Sequence, residues 1–207
     1  MGKITDIQTQ KKNPNRVSIF IDGEFYAGMD LFTSQKHRLK IDGDVDENKL
    51  KEVIFDAECS SAFEKALSLI NTRFRAENEI IDYLKQKLYS EEIIDTTLEK
   101  LKSYNYVDDR EFCRLYIDSH KKSWGYKKIE YMLKGLKIDS EILAEALSEI
   151  DTQQEEAVKL LEKYFKSKPF DKNKAYTHLA QKGFKGDCIK FAIAEAMANN
   201  ENLKLKT

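Results

Sequence analysis

"LKGLKIDSEILAEALSEI" (residues 133–150) lays without gaps over two other stretches of the same chain, "LKQKLYSEEIIDTTLEKL" (84–101) and "LAQKGFKGDCIKFAIAEA" (179–196). Leu84, Leu133 and Leu179 coincide at the start. Five residues on come Tyr89, Ile138 and Phe184, and nine on Ile93, Ile142 and Cys188. Fourteen on come Leu98, Leu147 and Ile193; seventeen on, Leu101, Ile150 and Ala196. Four before each leading leucine stand Ile80, Ile129 and Ala175. The apolar positions follow helical spacing, so each block is a pair of amphipathic helices.

Each block breaks before its second helix. Ser90 and Asp139 are suited to N-capping there, and Gly186 to terminating the preceding turn. Upstream of each block lies one more amphipathic segment: "AFEKALSLI" (62–70), "REFCRLYI" (110–117) and "EEAVKLLEKYF" (155–165). The unit is therefore three helices, used three times. A unit of this size cannot hide its apolar faces alone, so neighbours are expected to stack into an elongated, curved array.

The N-terminal residues follow a different period. "ITDIQTQ" (4–10) and the β-branched "VSIFI" (17–21) flank "NPNR", which reads as a turn, and Asp22–Gly23 leads into "EFYAGM". This predicts a small antiparallel meander of three strands. "DGDVDEN" (42–48) spaces three Asp as a calcium loop would, but Glu47 stands where Gly is needed and Val53 where Glu is needed. Asp44 and Glu47 fit better as a capping box for the helix starting at "ENKLKEVI". The expected fold is mostly α. It comprises a β-rich cap (1–52), three-helix repeats at 53–105, 106–151 and 152–200, and a tail (201–207).

Composition narrows the function classes. With 34% charged residues and only two prolines in 207, the chain suits helices rather than sandwiches. The formal net charge is −1, so any anion-binding surface must be local. Cys59, Cys113 and Cys188 are widely spaced, without a CxxC pair, and read as reduced thiols. No apolar run reaches membrane-spanning length and no signal peptide opens the chain, so a cytoplasmic protein without a membrane partner is expected. His37, His120 and His178 lack metal-ligand spacing. Phosphate-loop, dinucleotide-turn and GxSxG motifs are missing. Asp108–Asp109, just ahead of "REFCRLYI", read as helix capping rather than as an acid–base pair. The chain reads as a binder, not an enzyme, with no cofactor.

One stretch stands out as a surface. "YNYVDDREFCRLYIDSHKKSWGYKKIEYMLKGLKI" (104–138) carries eight Lys and Arg, and only three acidic residues after Asp108–Asp109. Phe112, Cys113, Tyr116 and Ile117 form the inward stripe of one helix, and Ile129, Met132 and Leu133 that of the next. Arg110, Arg114 and Lys121 then point outward from the first helix, and Lys127, Lys128 and Lys134 from the second. Lys122, Trp124 and Tyr126 lie at the joint between them. A solvated helix pair and an anion-recognition surface with stacking aromatics both satisfy this pattern.

These residues carry a resemblance. "YVDDREFCRLYI" followed by "GYKKIEYML" resembles the signature of the RecX family, bacterial regulators of the RecA recombinase. Tyr106, Asp108, Asp109, Phe112, Tyr116, Gly125, Lys128, Ile129, Leu133 and Ile138 match it. Asn105, Cys113, His120 and Leu136–Lys137 depart from the family's usual Gly, Ala, Arg and Lys-Gly, while Lys182–Gly183 keeps that last pair in the third repeat. The resemblance runs over roughly residues 57–200 and touches the β-rich leader through "IFIDGEFY". It implies a monomer that lodges in the groove of the RecA nucleoprotein filament and damps strand exchange, ATP hydrolysis and coprotease activity. It also implies weaker direct contact with single- or double-stranded DNA. Arg110, Arg114, Lys121, Lys122, Trp124, Tyr126, Lys127, Lys128 and Lys134 are the candidate contacts. Without RecA specificity, the same features fit a DNA-binding helical-repeat protein or a general helical adaptor.

Overall fold

The computed structural model describes residues 2–11 and 13–204. Three antiparallel strands open the chain: β1 (Gly2–Gln10), β2 (Asn13–Ile21) and β3 (Glu24–Asp30). Asp22 and Gly23 both take positive φ, 49° and 89°, the backbone a two-residue hairpin turn requires. A fourth strand beyond the expected meander, β4 (Asp44–Val45), pairs with Gly2–Lys3 and sets the order β3-β2-β1-β4. "NPNR" is not a turn but the start of β2. The register with β1 jumps from Asn13 to Val17, so Pro14 falls in an irregularity where no ladder bond is demanded of it. Ile4, Val17, Ile19, Ile21 and Met29 form the buried face of the sheet.

A short helix, α1 (Leu31–Lys36), follows the sheet, and Asp30 caps it by accepting from Thr33 N. The long α2 (Glu47–Ile70) is capped by Asp46, which accepts from Asn48 N at 3.0 Å and from Lys49 N. This corrects the expected Asp44–Glu47 box: Asp44 belongs to β4, and Glu47 is the first helical residue. Leu50, near the start of α2, seals the sheet core. Ala62 and Ala66, further along, pack against α3 (Glu77–Gln86) and α4 (Glu91–Ser103) through Ile80, Leu84, Tyr89, Ile94 and Leu101. One compact unit thus runs to Phe74 and resumes from Ile80 to Val107.

The second unit takes Arg75–Glu79 and everything from Asp108 onward. Its helices are α5 (Asp109–His120), α6 (Tyr126–Gly135), α7 (Ser140–Ser148), α8 (Gln154–Phe165), α9 (Lys172–Gln181) and α10 (Gly186–Lys204). Of the tail, residues 201–204 close α10, and 205–207 lie outside the described residues.

The repeat is exact in register. The ten-residue helices α3, α6 and α9 begin at Glu77, Tyr126 and Lys172, and their partners begin at Glu91, Ser140 and Gly186. Both series carry the offsets of 49 and 46 residues found in the sequence. Leu84, Leu133 and Leu179 are all fully buried. Four residues beyond each, Leu88, Lys137 and Gly183 hold positive φ of 65°, 56° and 85°. This is the left-handed residue that ends a helix. Gly183 is therefore the terminator in the third repeat, and Gly186, assigned that role from sequence, is instead the first residue of α10. Ser90 and Asp139 cap α4 and α7 as expected. Met132 does not join the core stripe of α6. It is 39% exposed, because only Ile129 and Leu133, four apart, face inward there.

Candidate functional site

The stretch 104–138 is built on two caps. Asp108 starts α5 by accepting from Arg110 N (2.8 Å) and Glu111 N (3.2 Å). Asp109 accepts from Glu77 N at 2.8 Å, closing off the start of α3. Both carboxylates are committed to backbone N–H groups, as helix termini require. Phe112, Cys113 and Ile117 are buried and Tyr116 half-buried, which fixes the outward face of α5.

The turn from α5 to α6 is held from behind by the third repeat. Gln153, in a left-handed conformation at φ 54°, is buried although polar. Its amide oxygen accepts from Tyr126 N (2.8 Å), and its amide nitrogen donates to the carbonyls of Lys121 (3.0 Å) and Trp124 (2.9 Å). Its own carbonyl accepts from Cys188 Sγ. Gly125 N donates to Lys182 O (2.8 Å), and Lys127 N to Gly183 O (2.9 Å). The first N–H groups of α6 are thereby all satisfied within the protein, so this helix start offers no vacant anion cradle. Side chains must do any recognition.

Those side chains fall into two groups. Arg110 pairs with Glu145, Arg114 with Glu111 (2.6 Å) and Asp118 (3.4 Å), Lys121 with Asp118 (2.7 Å), and Lys134 with Glu130 (2.8 Å). Hydrogen bonds from Arg114 and Lys121 hold Glu111 and Asp118 below the usual carboxylate range. Around Arg110 and Arg114 the carboxylates of Asp108, Glu111, Glu145 and Glu149 outnumber the two guanidinium groups. These exposed pairs contribute little to stability, and they neutralise the local charge.

Lys122, Lys127 and Lys128 form the second group, next to the two aromatics. Trp124 is no free stacking plate. It closes a column in which Tyr116 stacks on His120 (4.3 Å), His120 lies against Trp124 (4.2 Å), and the Lys128 ammonium sits 4.3 Å over the indole. Tyr126 is covered in turn by Lys185, 3.7 Å above its ring. That lysine belongs to the third repeat and was not among the candidates from sequence.

The third repeat carries a basic stretch of its own. Residues 163–185 contain seven Lys and a single acid, Asp171, which is occupied in capping α9. Tyr164 stacks on His178 at 4.1 Å, with Lys168 4.8 Å over the tyrosine ring. Lys174 lines the same shallow hollow. Burial first, and then the charges of Lys182 and Lys168, hold the His178 imidazole below its ordinary value. Burial likewise pushes the Cys113 and Cys188 thiols up to about 11, which keeps them protonated and unreactive. Among the described residues, no group of three or more His, Cys, Asp or Glu is placed to hold a metal ion. No described helix is long and apolar enough to cross a membrane.

Comparison with known proteins adds three findings. Residues 2–46 match the family model "Regulatory protein RecX N-terminal domain", and residues 62–101 match "RecX, first three-helix domain". The chain is 33% identical to the regulatory protein RecX of Clostridium perfringens (strain 13 / Type A), covering 99% of this chain and 100% of that one. It is 35% identical to the regulatory protein RecX of Bacillus licheniformis, over 98% of this chain and 80% of the relative. Among solved structures, one titled as a crystal structure of regulatory protein RecX superimposes with a TM-score of 0.60 at 23% identity, covering 92% and 98% of the two chains. RecX from Lactobacillus salivarius gives a TM-score of 0.60 at 25% identity, covering 67% of this chain and 96% of that one.

Proposed function

The chain belongs to the RecX family of regulatory proteins, and from that premise we propose that it regulates the RecA recombinase, mainly as an inhibitor. In this reading it is a cytoplasmic, monomeric, non-enzymatic binder that lodges in the groove of the RecA–DNA filament. There it damps strand exchange, ATP hydrolysis and coprotease activity during recombinational DNA repair. The observation that carries the reading is similarity along the whole length of a regulatory protein RecX, leader and helical repeats together.

The working surface we propose centres on Lys122, Lys127 and Lys128 with Trp124 and Tyr126. Arg110, Arg114, Lys121 and Lys134 lie at its margin, where intramolecular acids already share their charge. A target made of protein carboxylates and DNA phosphates exerts strong attraction on Lys122, Lys127 and Lys128, which form no ion pair among the described residues. Co-sedimentation with RecA filaments on single-stranded DNA tests this. Lys127→Glu with Lys128→Glu is expected to weaken pelleting, whereas Glu91→Lys with Glu92→Lys, on α4, leaves it intact. If the folded lysine variant pellets like the wild type, this surface is not the contact.

A further inference from the structure

We infer that the loop after α3, in the first repeat, is a protein-docking tip. The carbonyls of Lys87 and Leu88 cap the start of a helix on a partner, and the Leu88 side chain enters an apolar socket beside it. The inference deepens the proposed function, and it rests on that reading for the identity of the partner as RecA.

The contact already exists once inside the chain. In the third repeat the equivalent loop places the carbonyls of Lys182 and Gly183 on Gly125 N (2.8 Å) and Lys127 N (2.9 Å), closing the start of α6. Ala76 holds the place of Gly125 in the first repeat, and it is fully buried in the core cluster of the second. Each of these joints is thus covered by the repeat that follows. Stepping back from Lys182 and Gly183 by the repeat offsets leads to Lys87 and Leu88, and there the β sheet and α2, not another repeat, come before. The backbone is set the same way, with φ 65° at Leu88 against 85° at Gly183. The Lys87 and Leu88 carbonyls accept no hydrogen bond among the described residues. Free carbonyls carry the negative end of the peptide dipole, so they match the N–H groups of a helix start.

Exposure of Leu88 alone would carry nothing, because single surface leucines are common. A left-handed backbone, however, suits Gly or Asn, and a bulky side chain strains it. Leu88 bears that strain while 92% exposed. Its neighbours hold it there. Tyr89 is buried, and its Oη accepts from Lys65 Nζ (2.5 Å) and lies 2.9 Å from Ser61 Oγ. Lys85 pairs with Glu91 across the loop at 3.5 Å. A strained apolar tip on a fixed base is pre-organised for binding. A Cβ at Gly183 would lie 2.5 Å from Lys128 Cβ, so a leucine needs a wider seat than α6 offers. The partner's helix start must therefore be flanked by an apolar socket. Glu91 and Glu92 correspond to Gly186 and Asp187, which form no hydrogen bond with α6, so the charge-reversed control on α4 spares this contact.

The test uses the full chain and RecA filaments on single-stranded DNA. Leu88→Gly keeps the left-handed turn and removes the side chain. Glycine relieves the strain, so the variant is expected to unfold in denaturant at or above the wild-type midpoint. It should nevertheless pellet with filaments about tenfold more weakly, as loss of a buried anchor does. Leu88→p-benzoylphenylalanine, irradiated on the filament, is expected to attach within the first turn of a RecA helix or to apolar residues packed against that turn. Attachment to DNA, to a strand or to the middle of a helix overturns the inference, and so does no attachment. A lowered midpoint for Leu88→Gly overturns it too, because the leucine would then serve the fold. Wild-type protein that fails to pellet removes the proposed function and this inference with it. Wild type that pellets alongside an unaffected Leu88→Gly removes the inference alone.

Discussion

Gly125 shows how much one missing carbon decides. Its backbone angles are ordinary, φ −81° and ψ 165°, so conformation alone would admit any residue. A Cβ there would lie 2.2 Å from Phe184 N and 2.4 Å from the Gly183 carbonyl carbon, which are backbone atoms that cannot swing aside. Gly125→Ala is therefore expected to cost about 1–3 kcal/mol in denaturant unfolding through overpacking. Gly135→Ala, whose Cβ would meet nothing within 4 Å, should instead be neutral or stabilise by about 0.4–1 kcal/mol. Equal effects would mean that the two loops do not touch. His178 makes a second prediction at this scale. Its ordinary value is 6.5, and the folded protein holds it lower. As pH falls below that value the unfolded chain takes up the proton first, so stability is full above it and declines below. His178→Phe keeps a ring on Tyr164 and should flatten the decline, relative to wild type, between about pH 7 and pH 5. Parallel melting curves for the two proteins would contradict the assignment.

Helices and their joints were the most legible level, and the reason is periodicity. Leu84, Leu133 and Leu179 recur with their neighbours at spacings that only a repeated helical pair explains, and all three are fully buried. Replacing any one with alanine is expected to lower stability by about 2–5 kcal/mol, checked by the denaturation midpoint. A negligible effect at all three would break the equivalence. Caps at single residues were harder to read. Asp44 and Asp46 are alike in type, and only the pairing of β4 with β1 removes the first from the choice. Likewise Gly186 attracted the terminator role because glycine is the usual left-handed residue. Lys137 and Leu88 show that this position tolerates a side chain when it points to solvent, Leu88 being 92% exposed. Gln153 was invisible in the sequence, since nothing local marks a residue whose partners are 27 to 35 positions away. Gln153→Ala would strand the Tyr126 N–H and two carbonyls, so a loss of about 2 kcal/mol or more is expected. Denaturation unchanged from wild type would show that water replaces the amide at little cost.

At the scale of the molecule, the candidate surface was half legible. Counting charges located the lysines of the second repeat but could not say which were neutralised, because the acids that pair with Arg110 and Lys134 become neighbours only through helix packing and helical turns. The covering of Tyr126 by Lys185 is likewise a contact between repeats. The regulatory reading rests on the whole length of the chain and on its family, and its central claim is an effect on RecA. The direct measurement is steady-state ATP hydrolysis by RecA on single-stranded DNA as this protein is titrated in. A saturable fall in hydrolysis is expected, blunted by Lys127→Glu with Lys128→Glu; hydrolysis unchanged at saturating wild-type protein would contradict a regulatory action on RecA.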